Sequence, residues 1–157
     1  DSIRLIQQPR GPVWIINFHD KGIFRASADD GRWMAPVSQA EARDLATAAY
    51  RGPAKLISLK NFSAEQAPLD LRKARPSWQA EYSDGTHLYV DATSGEVLAL
   101  RTRQWRAYDW MWGLHIMDLQ TREETSHAVL IIFAALAALG MVLALIQLPL
   151  AVWRKKR

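Results

Sequence analysis

Residues 78–100, WQAEYSDGTHLYVDATSGEVLAL, decide the fold. Trp78, Ala80 and Tyr82 alternate with Gln79, Glu81 and Ser83, and Leu88 and Val90 alternate with Tyr89 and Asp91. A period of two is that of a strand with one face turned to a core. Between the runs, Asp84-Gly85 is a tight-hairpin dipeptide, because glycine takes positive φ without steric cost. Ser94-Gly95 marks a second turn before Glu96-Val97-Leu98. The stretch predicts a three-stranded meander with His87, Tyr89 and Asp91 on its polar side. Asp91 and Glu96 read as turn residues, the Asp91 carboxylate taking backbone amides of the loop that follows.

Shifted back by 64 positions, the pattern returns without a gap as WIINFHDKGIFRASADDGRWMAP, residues 14–36. Trp14 falls on Trp78, Phe18 on Tyr82, Asp20 on Asp84, Phe24 on Leu88, Ala28 on Ala92, Gly31 on Gly95 and Ala35 on Ala99. These are turn positions and inward-facing strand positions, so two similar β-meanders are expected. Between them Ser38-Gln39-Ala40-Glu41 is a capping box, followed by an apolar helical face of Ala42, Leu45, Ala46 and Ala49. Arg51-Gly52-Pro53 ends that helix, and Lys55–Phe62 alternates as a strand. Residues 63–77 read as a linker with Pro68, Pro76 and a solvated basic cluster of Arg72, Lys73 and Arg75. The order β-β-β, α, β, β-β-β defines an α+β domain: a mostly antiparallel sheet with one packed helix.

The chain has 157 residues and a formal net charge of +4. All of that excess is Arg154, Lys155, Lys156 and Arg157; the remainder holds 16 basic and 16 acidic residues. No basic stripe exists to track a phosphate backbone, so a nucleic-acid partner is excluded. Absence of cysteine rules out disulfides, a thiol nucleophile and thiolate-bound zinc, iron–sulfur or c-type haem. No Gly-x-Ser-x-Gly, His-Glu-x-x-His, P-loop or Gly-x-Gly-x-x-Gly is present.

From Ala128 to Trp153 only Gln147 is clearly polar. This run of 26 residues exceeds the roughly 20 that a membrane helix needs. The basic tail directly after it is expected to stay cytoplasmic, leaving the rest of the chain outside. Ahead of it, WRAYDWMWGLHIMD (105–118) is rich in Trp. Trp105, Tyr108, Trp110 and Trp112, with Trp153 at the other end, are expected at the membrane–water interface, on an interfacial helix. A short core helix packed under the soluble domain is the competing reading.

Four stretches together resemble the PepSY family in its membrane-anchored form. They are the capped helix SQAEARDLA (38–46), the linker PLDLRKARPSWQAEY (68–82), the hairpin DGTHLYVDATSGEVLA (84–99), and Trp112-x-Leu114-His115 followed by a membrane helix and a basic end. The Tyr-Val-Asp-Ala-Thr-x-Gly-Glu core of the hairpin carries most of the likeness. The resemblance divides the chain into an N-terminal extension (1–12), a PepSY-like α+β domain (13–103), a Trp-rich interfacial segment (104–126), one transmembrane helix (127–153) and a cytoplasmic tail (154–157). It implies a bacterial inner-membrane protein with a periplasmic domain, in contact with membrane lipid and a protein partner. Membrane-anchored members usually carry an earlier membrane helix with a basic-His motif. The sequence starts at Asp1 without Met, so an upstream segment or a single-pass variant is expected.

Three functions follow from the resemblance. One is a non-catalytic accessory subunit of a membrane complex, in iron uptake or respiratory redox chemistry. Another is a haem-binding electron-transfer subunit of a ferric-siderophore reductase, with His115 and His127 as ligands to haem b. The third is a protease inhibitor or chaperone module. On one straight helix His115 and His127 would differ by about 120° in direction and about 18 Å in height, so each would need a partner histidine elsewhere. The plainer alternative has His127 capping the helix and His115 within the Trp belt. His19 and His87 read as solvated hairpin residues; a metal site of His19, Asp20, Asp84 and His87 would need the two hairpins side by side.

Overall fold

The computed structural model describes residues 1–155, with side chains to Gln147. It forms two compact units, Asp1–Arg106 and the chain from Ala107 on. The first unit is α+β, with two antiparallel sheets. One sheet has the order β1-β2-β3, formed by β1 (Ser2–Gln8), β2 (Gly11–Phe18) and β3 (Gly22–Ser27). The other has the order β4-β5-β6-β7, formed by β4 (Leu56–Phe62), β5 (Ser77–Tyr82), β6 (His87–Asp91) and β7 (Val97–Arg101).

Helix α1 (Gln39–Ala49) covers one face of the four-stranded sheet. Its Ala42, Leu45 and Ala46 bury against Ala80, Tyr82, Leu88 and Val90, the residues whose alternation predicted the inward face. Tyr82 donates its hydroxyl to Ala46 O at 2.9 Å and stacks on Tyr50 with ring centroids 3.8 Å apart. Burial pushes the Tyr82 phenol up to about 12. Ser38 Oγ accepts from Glu41 N at 3.3 Å, so half the capping box forms. The Glu41 carboxylate turns away to a buried partner, Arg25 of β3, across two contacts of 2.5 and 2.8 Å. That bidentate pair, with Gln8 Nε2 donating to Ser94 O at 2.8 Å, ties the two sheets together.

Three expectations are corrected. Residues 1–12 are not an appendage: β1 pairs along its length with β2, from Ser2↔Asn17 to Gln8↔Gly11. The first meander has three antiparallel strands, as expected, but not the three that the alignment implied. Its expected third strand at 33–36 shrinks to a single bridge, Ala26↔Trp33, because the chain turns away at Ala35, whose carbonyl takes the Arg25 guanidinium. The linker 63–77 is not solvated either. Its 3-10 turn (Leu69–Leu71) lies on the second face of the four-stranded sheet, where Leu71, Tyr89 and Ala99 are buried with Ala67 and Leu98 against them. Tyr89 and Asp91, expected on the polar side of the strand, are therefore fully buried. A sheet covered on both faces has no polar side to show.

Helix α2 (Arg103–His115) begins in the first unit and, in the second, ends in a Schellman motif: Asp118 N bonds Gly113 O and Met117 N bonds Leu114 O. Met117 takes the left-handed position at φ 59, where glycine is usual. A β-carbon on Gly113 would come within 2.9 Å of Asp118 O, so the turn needs that glycine. Helix α3 (Ala128–Lys155) follows, and its stretch Ala128–Gln147 is long and apolar enough to cross a membrane. Twenty residues span about 30 Å, the thickness of a hydrocarbon core.

Candidate functional site

The outer face of the three-stranded sheet is apolar and uncovered. Register puts Leu5, Trp14 and Ala26 in one cross-strand row and Ile3, Ile16 and Phe24 in the next. Ile3, Leu5, Trp14 and Phe24 are exposed, and Trp33, bridged to Ala26, is 64% exposed. Phe18, Phe24 and Trp33 meet edge-to-face, with centroid distances of 5.8 and 6.1 Å. Scattered exposed apolar residues need no account, whereas a contiguous aromatic and aliphatic face of this kind calls for one.

This placement reverses a sequence reading. Trp14 and Phe24 were aligned with inward-facing Trp78 and Leu88, yet Val13, Ile15 and Arg25 are the buried ones. The run Val13–Ile16 is apolar at every position, so alternation could not say which face was core. The signal that could have found the surface is the same run, together with Ile3 and Leu5, which were read as part of an extension.

On the second face of the four-stranded sheet, Asp70 organises a polar cluster. Tyr89 donates its hydroxyl to Asp70 Oδ1 at 2.5 Å, and His87 Nδ1 lies 3.1 Å from Oδ2. Gln79 Nε2 donates to the Tyr89 hydroxyl at 2.5 Å, and Arg101 Nε donates to Asp70 O at 2.7 Å. Burial, then the bond to Asp70, raises the Tyr89 phenol far above its ordinary value. His87 is thus half-buried and holds the strap, rather than standing solvated on a hairpin. His19, Asp20, Asp84 and His87 are not brought together. Asp84 is engaged by Tyr50 and by Thr86 N, and no cluster of three metal-ligating side chains exists among the described residues.

The signature turn is built as its residues suggested. Asp91 Oδ1 accepts from Thr93 N at 2.8 Å and Ser94 N at 2.9 Å. Its Oδ2 is held by charge, with Arg75 Nη2 at 2.5 Å but off hydrogen-bonding geometry. Arg75 is therefore not part of a solvated cluster. Gly95 sits at φ 76 beside Gln8 Nε2, which a β-carbon would meet at 2.7 Å.

In the second unit, His115 is the last residue of α2 and His127 stands just before α3. The pair therefore does not share one straight helix. His127 Nε2 is 2.8 Å from Ile116 O, just past the end of α2, and its Nδ1 accepts from Leu130 N at 3.4 Å at the start of α3, so both ring nitrogens are engaged. His115 is exposed, its ring 5.9 Å from that of Trp112. Between the helices, Asp118 gathers the amides of Gln120, Thr121, Glu123 and Glu124 and the Thr121 hydroxyl. The Thr121 hydroxyl bond, with those amides, holds its carboxyl far below the usual range. Tyr108, Trp110, Met111 and Trp112 are exposed on α2, and Trp105 is half-buried under the Arg101 guanidinium at 4.0 Å. The side chains of Trp153, Arg154 and Lys155, and all of Lys156 and Arg157, lie outside the described residues.

Residues 36–101, which run from just before α1 to the end of β7, match the family described as Peptidase propeptide and YPEB domain. The chain thus carries a PepSY domain there, and the three-stranded sheet lies outside the matched stretch. No curated protein and no solved structure matches the chain.

Proposed function

We propose that this chain is a membrane-anchored, extracytoplasmic interaction subunit, whose PepSY domain is the scaffold and whose three-stranded sheet is the docking surface. The observation that carries the reading is the uncovered face of Ile3, Leu5, Trp14, Phe24 and Trp33. A partner that covers it removes apolar area from water, the main source of affinity in most protein contacts. Helix α3 is the anchor, the basic tail is its cytoplasmic end, and the exposed Trp110 and Trp112 sit at headgroup level. The geometry gives the haem reading less support, since both His127 ring nitrogens are engaged.

Photo-crosslinking in native membranes tests this. A benzophenone side chain at Leu5 or Trp14 is expected to trap one adduct of defined mass, and the same group at exposed Lys60 of β4 is not. Lack of an adduct at both sheet positions, or an equal adduct at Lys60, would overturn the reading.

A further inference from the structure

Beside β3 the apolar face deepens into a recess of about 460 Å³ lined by Phe18, Lys21, Phe24, Trp33 and Met34. That volume suits a bulky side chain or a small ligand. Four of the five walls are apolar, and no carboxylate lines it. The Lys21 ammonium makes no ion pair or hydrogen bond among the described residues. A lone cation at the rim of an aromatic recess selects an apolar group that carries negative charge nearby.

The main chain adds a second requirement. Ala28 N bonds Pro12 O, so the even-numbered residues of β3 face β2. Arg25 and Ser27 face outward, where Met34 N bonds Arg25 O and Ser27 N bonds Arg32 O. By the same alternation, the N–H and C=O of Ile23 point outward along the recess. The segment that would have covered them leaves the edge at Ala35, held there by Arg25. A free acyl carboxylate would leave both groups to water, whereas an extended peptide pairs with them.

We propose that the recess binds an extended segment of a partner protein, added as a short strand along Gly22–Phe24. A bulky apolar side chain enters between Phe18, Phe24 and Trp33, and an acidic side chain within two residues meets Lys21. The inference rests on the interaction reading above and specifies the partner's chemistry.

The full chain in nanodiscs is titrated against a fluorescein-labelled, end-capped ten-residue peptide of alternating threonine and valine, with a central phenylalanine and a glutamate two residues on. Binding above that of empty nanodiscs is expected. Trp33→Ala should weaken it about tenfold and Trp33→Phe should largely keep it. Lys21→Glu should weaken it about threefold, the size of an exposed ion pair. A peptide with lysine in place of the glutamate should recover that loss on Lys21→Glu. No peptide binding, equal binding by wild type and both the Trp33→Ala and Lys21→Glu variants, or octanoate binding lost in Trp33→Ala without any peptide binding would overturn the proposal. Crosslinks at Leu5 and Trp14 report on the wider face, so they survive if only the recess assignment fails.

Discussion

Asp91 sits where three demands meet: full burial, two loop amides and an arginine. Its carboxylate replaces the water those amides would otherwise need, so Asp91→Ala leaves two donors bare in the interior. A cost of about 2–3 kcal/mol is expected. Arg75→Ala should cost less, because the Arg75 side chain is only two-thirds buried and water can replace part of it. Thermal unfolding of the full chain reads both, and an equal loss would mean that the ion pair rather than the turn carries the site. Asp84 offers a pH test. The Thr86 amide, then the Tyr50 hydroxyl, hold its carboxyl below the ordinary value. A depressed folded value adds stability above the unfolded value of about 3.9, lost as pH falls through the folded one. The stability gap between wild type and Asp84→Asn should therefore hold steady above about pH 4 and close below it. The role of Asp91 was legible in sequence because an Asp before a Ser-Gly turn has few other uses. The role of His87 was not, because its partner Asp70 lies 17 residues away in a strap that read as linker.

Among the elements, α1 and the α1-facing side of β6 were legible because each shows one apolar period, with caps or turns at its ends. β2 was not, since apolar residues on both faces leave its orientation to what else can be buried. What fixed it is Arg25 on β3: it belongs to the row that pairs Ile15, and its guanidinium reaches Glu41 of α1 only from that face. The pair thus orients the three-stranded sheet and exposes the other, aromatic row. Breaking it by Glu41→Leu alone leaves a buried guanidinium with only the Ala35 carbonyl, at an expected cost of about 3–5 kcal/mol. The double change Arg25→Met with Glu41→Leu should recover most of that loss, because two apolar side chains of similar size need no partner. Denaturation midpoints of the three proteins decide it. If the double variant is as unstable as the single one, the pair does more than neutralise itself.

At the scale of the whole molecule, the charge that would suggest a nucleic-acid binder sits on one flank of one helix. Within about 20 residues of the apolar span, the tail offers four basic residues and the other flank only Arg122. Orientation follows the Lys and Arg difference, to which acidic residues such as Glu123 and Glu124 contribute little. The consequence is testable because the chain has no cysteine of its own. A single reporter, Lys60→Cys on exposed β4, should be modified by a membrane-impermeant maleimide added to spheroplasts. Replacing Arg154, Lys155, Lys156 and Arg157 by glutamine removes the bias, so a substantial fraction should invert and become labelled only after lysis. Labelling that needs lysis with the native tail would put the domain in the cytoplasm. The apolar face of the three-stranded sheet and its recess would then meet cytoplasmic partners, with their chemistry unchanged on the other side of the membrane.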